Sequence, residues 1–62
     1  MNNFFMLCAE YSVTARLTYN VMTNSVTIEL SGLDYTYKQK TYPVNEIHED
    51  LLMAELYDYL RL

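Results

Sequence analysis

The chain has 62 residues, 52% hydrophobic and 19% charged, with one glycine, one proline and a formal net charge of −4. That composition excludes a disordered tail or a collagen-like chain, and the length leaves room for a single small domain, residues 1–62. The longest apolar run, Phe4 to Ala9, falls far short of the ~20 residues a membrane-spanning helix needs.

Residues 2–10 form the first element, and periodicity alone does not decide its type. Phe4, Phe5, Met6, Leu7, Cys8 and Ala9 are apolar on every side, which suits a buried strand and a short helix equally. Asn3 is a fit helix cap; a bulge near Glu10 would instead join the segment to the strand that follows.

From Tyr11 to Val21 the sequence alternates strictly, with Tyr11, Val13, Ala15, Leu17, Tyr19 and Val21 in one phase. A period of two over that stretch predicts a half-buried strand. The alternation resumes with Val26, Ile28 and Leu30, giving a hairpin over residues 11–31. Pairing around Thr23-Asn24 sets Val21 against Val26, Tyr19 against Ile28 and Leu17 against Leu30. Only an even loop keeps both apolar faces on one side, so a two- or four-residue turn is expected, with Asn24 in a positive-φ position.

At Gly32 the apolar phase moves to odd positions, aligning Leu33, Tyr35 and Tyr37. The glycine reads as a second turn, followed by a third strand over about 35–42. Thr36, Lys38 and Lys40 then point outward, the lysines guarding an edge. Asn45 is a good N-cap, and a helix is expected over about 46–62. At 100° per residue, Leu52, Met53, Leu56, Tyr59 and Leu60 form one apolar arc, and Ile47, Leu51, Ala54 and Leu62 a second, nearly opposite one. The fold class expected is α+β: a small antiparallel meander of three strands, four if residues 2–10 join it, packed against one C-terminal α-helix. Val13, Leu17, Tyr19, Val21, Val26, Ile28, Leu30 and Tyr37 face the helix's Leu52, Leu56, Tyr59 and Leu60.

Chemistry is thin in this sequence. One glycine cannot build a phosphate-cradling loop. Cys8, the only cysteine, reads as a small core residue, and it rules out an internal disulfide or a cysteine zinc cage. His48, the only histidine, reads as an exposed first-turn residue; its i+3 and i+4 neighbours are leucines, so helical metal chelation is not supported. No catalytic residue, cofactor or metal is expected, and the chain is read as no enzyme. A reducing, cytoplasmic setting suits the lone thiol (host cytoplasm if the gene is a phage's), and no Lys or Arg precedes Arg16 to flank a signal peptide.

Charge is the more informative signal. Residues 1–44 carry three acids and three bases, whereas residues 45–62 carry Glu46, Glu49, Asp50, Glu55 and Asp58 against Arg61. The net charge therefore belongs to the terminal helix. Direct nucleic-acid binding is disfavoured, because phosphate contact needs a basic footprint. The five acids, with Tyr57 as a contact residue, instead suit a partner protein with a basic groove. Ile47, Leu51 and Ala54 offer an apolar face for a second copy or a partner. A small protein-binding inhibitor follows, of the phage type that blocks nucleic-acid-handling or defence proteins such as CRISPR nucleases. A structural or regulatory homo-oligomer is the alternative.

Overall fold

Val26, Ile28 and Leu30 are buried in β2 while every residue between them is half-buried, and the rest of the molecule is arranged around that row. The computed structural model describes residues 2–61. They run α1 (Asn2–Glu10), β1 (Thr14–Asn20), β2 (Ser25–Ser31), β3 (Tyr37–Pro43), a 3-10 turn (Val44–Glu46) and α2 (Glu49–Leu60). The sheet is antiparallel in the order β1-β2-β3, so the fold is α+β with the three-stranded meander expected from the sequence. Both helices cover one face: Phe4 and Cys8 of α1 and Leu52 and Leu56 of α2 close over Ile28 and Leu30 in one core. Three strands at ~4.8 Å are wider than the ~10 Å of one helix, so α2 alone cannot roof the sheet. The N-terminal segment supplies the second half of the roof.

Residues 2–10 are therefore helix, not strand. Helical spacing brings Phe4, Leu7 and Cys8 to one side, with Phe4 fully buried. The helix closes through Ser12 at φ 56°: its N–H donates to the Ala9 carbonyl (3.2 Å) and the Val13 N–H to that of Cys8 (2.8 Å). This is the paired closure of a Schellman turn, and its usual apolar contact is made by Val13 and Cys8, both in the core. The closure consumes residues 11–13, so the hairpin begins at Thr14 rather than at Tyr11.

The hairpin loop has the expected even length, being the four residues Val21 to Asn24. Its register differs from the predicted one by two residues: Tyr19 pairs with Val26, Leu17 with Ile28 and Ala15 with Leu30. Asn20 and Asn24 set the difference. The Asn20 side chain accepts the Met22 N–H (2.9 Å), and Asn24, at φ 51°, accepts the Tyr19 hydroxyl (2.7 Å). The turn thus ends the strands at Asn20 and Ser25, leaving Val21 and Tyr19 exposed instead of inward. An even shift keeps Leu17 on the helix side.

The third strand reverses the sequence expectation. Ser31 pairs with Tyr37 across the loop 32–36, whose odd length keeps even-numbered residues on the helix side. Lys38, Lys40 and Tyr42 lie beside Leu30, Ile28 and Val26, while Tyr37 stands on the open face at 58% exposure. The inward set expected from the sequence loses Tyr37, and the two lysines do not point outward. Gly32 is explained by space and not by φ. A Cβ there would sit 2.8 Å from the Tyr59 hydroxyl and 2.9 Å from Asp34 Oδ1.

α2 starts later than its sequence suggests. Val44–Glu46 form a 3-10 turn, so Asn45 caps nothing, and His48 is the N-cap: its Nδ1 accepts the Leu51 N–H (3.3 Å). The helix then buries Leu52 and Leu56 fully, with Met53, Tyr59 and Leu60 half-buried around them, and this is the predicted core arc. Leu62, expected at its end, lies outside the described residues.

Candidate functional site

Six side chains of residues 46–58 were expected at a partner surface, and the structure divides them. Glu46 and Asp50 are exposed, Glu49 is half-buried at the first turn, and Tyr57 is 43% exposed. The Asn3 side chain of α1 lies within reach of Glu49 at the start of α2. Glu55 departs most from a solvated acid: it is buried at 8% exposure. Among the described residues of the apolar arc, Ile47 packs on the core, Leu51 is half-buried and Ala54 is exposed. The core takes Ile47 from that face and leaves Leu51 in part and Ala54 open.

The reversed third strand is what captures Glu55. Lys38, brought to the helix side beside Leu30, places its Nζ 2.8 Å from Glu55 Oε2 and 2.5 Å from Asp58 Oδ2. Tyr42 donates its hydroxyl to Glu55 Oε1, and Lys40 Nζ lies 4.0 Å from the same oxygen and 5.4 Å over the Tyr42 ring. Burial alone would raise the Glu55 pKa; the Lys38 and Tyr42 hydrogen bonds outweigh it and hold the carboxyl below its ordinary value. The Lys38 bond likewise lowers Asp58. Burial pulls the Lys38 ammonium down, but its bonds to Asp58 and Glu55 leave it raised. The cluster pairs its own charges, with Glu55 buried and Asp58 and Lys40 at its exposed rim.

What remains for a partner is the end of the molecule where α2 begins. Glu46 and Asp50 stand there with Val44 (36% exposed), and the Val44 N–H donates to the Asn24 carbonyl (3.0 Å). That bond ties in the hairpin tip, where Val21 and Met22 are 74% and 89% exposed. Sequence reasoning found the acids but not the apolar tip, since it had placed Val21 inside. Met22, apolar directly after Val21, breaks the alternation at the start of the turn and was the available signal.

At the other end, the loop 32–36 borders an open depression that also involves Tyr11, Asp58 and Arg61. Asp34 accepts the N–H (3.3 Å) and hydroxyl (2.7 Å) of Thr36, and the Tyr59 hydroxyl bonds both Thr36 Oγ1 and its carbonyl. Within this brace Tyr35 is held at φ 66° with its ring 96% exposed. A non-glycine residue there carries strain that no packing of the ring repays. Tyr35→Gly should therefore leave stability unchanged or raise it by up to about 1 kcal/mol, read from the urea midpoint. A loss above that would mean that the ring is structural.

Cys8 is the described residue closest to reactive chemistry, and burial pushes its thiol up, away from the thiolate form. Among the described residues no group of three or more His, Cys, Asp or Glu side chains could hold a metal ion, and no helix is long and apolar enough to cross a membrane. Comparison with protein-family models, with curated proteins and with solved structures finds no match to this chain.

Proposed function

We propose that this chain is a small acidic protein-binding module that inhibits its target by occupying a basic groove, the target being a nucleic-acid-handling or defence protein. The observation that supports this reading is the juxtaposition of exposed Glu46 and Asp50 with exposed Val44, Val21 and Met22 at one end of the fold. Acids at a rim speed approach and set register, while flexible apolar side chains such as Met22 supply contact area. Glu55 and Asp58 leave the contact set, because Glu55 is buried and Lys38, with Lys40 beside it, already engages the pair.

The test begins with the immobilised chain in bacterial lysate, followed by nucleic-acid binding of each retained protein with and without the free chain. Glu46→Gln/Asp50→Gln should weaken capture and inhibition about ten-fold and flatten the salt dependence, with Met22→Ser weakening both without changing the salt slope. Equal affinity and equal salt slope for wild type and the double variant would sink the reading. The homo-oligomer reading is favoured by a separate observation, the open edge of β1.

A further inference from the structure

The two sheet edges are built differently. β3 ends in Pro43 and carries Lys38 and Lys40, the usual protection of an outer strand. β1, with the sequence Thr-Ala-Arg-Leu-Thr-Tyr-Asn, has Arg16 as its one charge and neither lysine nor proline, and among the described residues no strand pairs with its outer side. Its helix-side row is left incompletely covered, with Ala15 and Leu17 half-buried and Tyr19 53% exposed.

The helix above it is unfinished on the same flank. Asn3 reaches Glu49 of α2, so that side of α1 faces the other helix. Phe5 lies about 160° round the helix from Asn3 and so faces away from α2, over the β1 side. Phe5 is 46% exposed and Met6 68%, with Ala9 exposed between them. From Asn3 to Asn20 the only charged residues are Glu10 and Arg16, so the acids of α2 do not repel a neighbour here.

We propose that the β1 edge and the Phe5 flank of α1 form the interface of a symmetric dimer, β1 pairing antiparallel with β1 of a second copy about Leu17. The register follows from the strand. Centring on Leu17 pairs all of Thr14–Asn20, puts Ala15 opposite the larger Tyr19, and sets Arg16 against Thr18. Centring on Arg16 would oppose two like charges, and centring on Thr18 would leave Thr14 and Ala15 unpaired. Each of these registers keeps the helix-side rows on one side, so the two α1 helices meet across the dyad above one six-stranded sheet. A second copy also supplies the extra burial that a domain of this size lacks on its own.

The register makes the test specific. Thr18→Glu places an acid opposite Arg16 of the second copy twice per dimer, whereas Thr18→Lys places a like charge there. Sedimentation equilibrium should show a concentration-dependent dimer for the wild type. Thr18→Glu should tighten it about three- to ten-fold, and Thr18→Lys and Phe5→Ser should each weaken it by a similar factor. Circular dichroism melts control for folding, since Thr18 is exposed in the monomer. A wild type that stays monomeric at all concentrations would overturn the proposal, as would equal shifts for Thr18→Glu and Thr18→Lys. A monomer that instead captures another protein through this edge counts against it in the same way.

Discussion

Leu56→Ala should lower stability by about 2–5 kcal/mol, comparable with the whole net stability of a domain this small, and leave much of the chain unfolded. Leu56 has no exposed surface and meets Phe4, Cys8, Ile28, Leu30 and Leu52 in the one core cluster. That core has no second layer to collapse into the space, so the cavity persists. Leu56→Met, which keeps the volume, should cost less than about 1.5 kcal/mol. Urea titrations of the two variants check both figures. A folded Leu56→Ala with an unmoved midpoint would show that α2 uses another face.

Lys38→Met should be the most damaging change on the polar side, at about 3 kcal/mol near neutral pH. The methionine keeps the aliphatic stem beside Leu30 and removes only the charge that compensates Glu55, which is buried. The pH dependence identifies the cause. Glu55 and Asp58 are held below their ordinary values of 4.5 and 3.8, so their contribution is complete above those values and is lost as pH falls through the lowered ones. Lys38 is raised above 10.5, so its contribution is complete below that value and is lost only as pH rises through the raised one. In Lys38→Met the burial of Glu55 is less well opposed and its carboxyl titrates higher. The gap between variant and wild type should therefore narrow as pH falls toward about 4, and the double variant Lys38→Met/Glu55→Met should recover most of the loss. A pH-independent loss, or a double variant worse than the single, would mean that the ion pair is not the cause.

The sheet's first hairpin and the buried arc of α2 could be read from the sequence because each rests on a repeated period. Val26, Ile28 and Leu30 share one phase, and Leu52, Leu56 and Leu60 one helical face. The third strand could not, because Leu33, Tyr35 and Tyr37 alternate as convincingly as a core row while the lysines between them resemble an outer row. What reverses the choice is Glu55 and Asp58, one turn apart on α2, which give the Lys38 ammonium a partner on the helix side. That pairing joins two elements and has no local signature. The tyrosines follow the same logic. Tyr19 and Tyr37, expected inside, are exposed with their hydroxyls on Asn24 at the hairpin tip and on Glu29 of the open face, whereas Tyr42 and Tyr59 have half-buried rings and hydroxyls bonded on the helix side. A tyrosine's place depends on where its hydroxyl finds a partner, and alternation does not record that. Of the candidate site, Glu46 and Asp50 were legible as acids after the last strand; their apolar neighbours depended on where the Asn20 and Asn24 side chains end the hairpin.

Every strand pairing in this sheet joins chain neighbours across a loop of four or five residues, with no crossover. Closing such loops is entropically cheap, and a topology of local contacts folds fast. The meander can assemble as soon as its two turns form, and α2 follows directly from β3 through a short 3-10 turn. α1 is the exception. Its Phe4 and Cys8 complete their burial only by meeting Leu52 and Leu56 at the far end of the chain. Assembly therefore runs outward from the middle, and the N-terminal helix docks last.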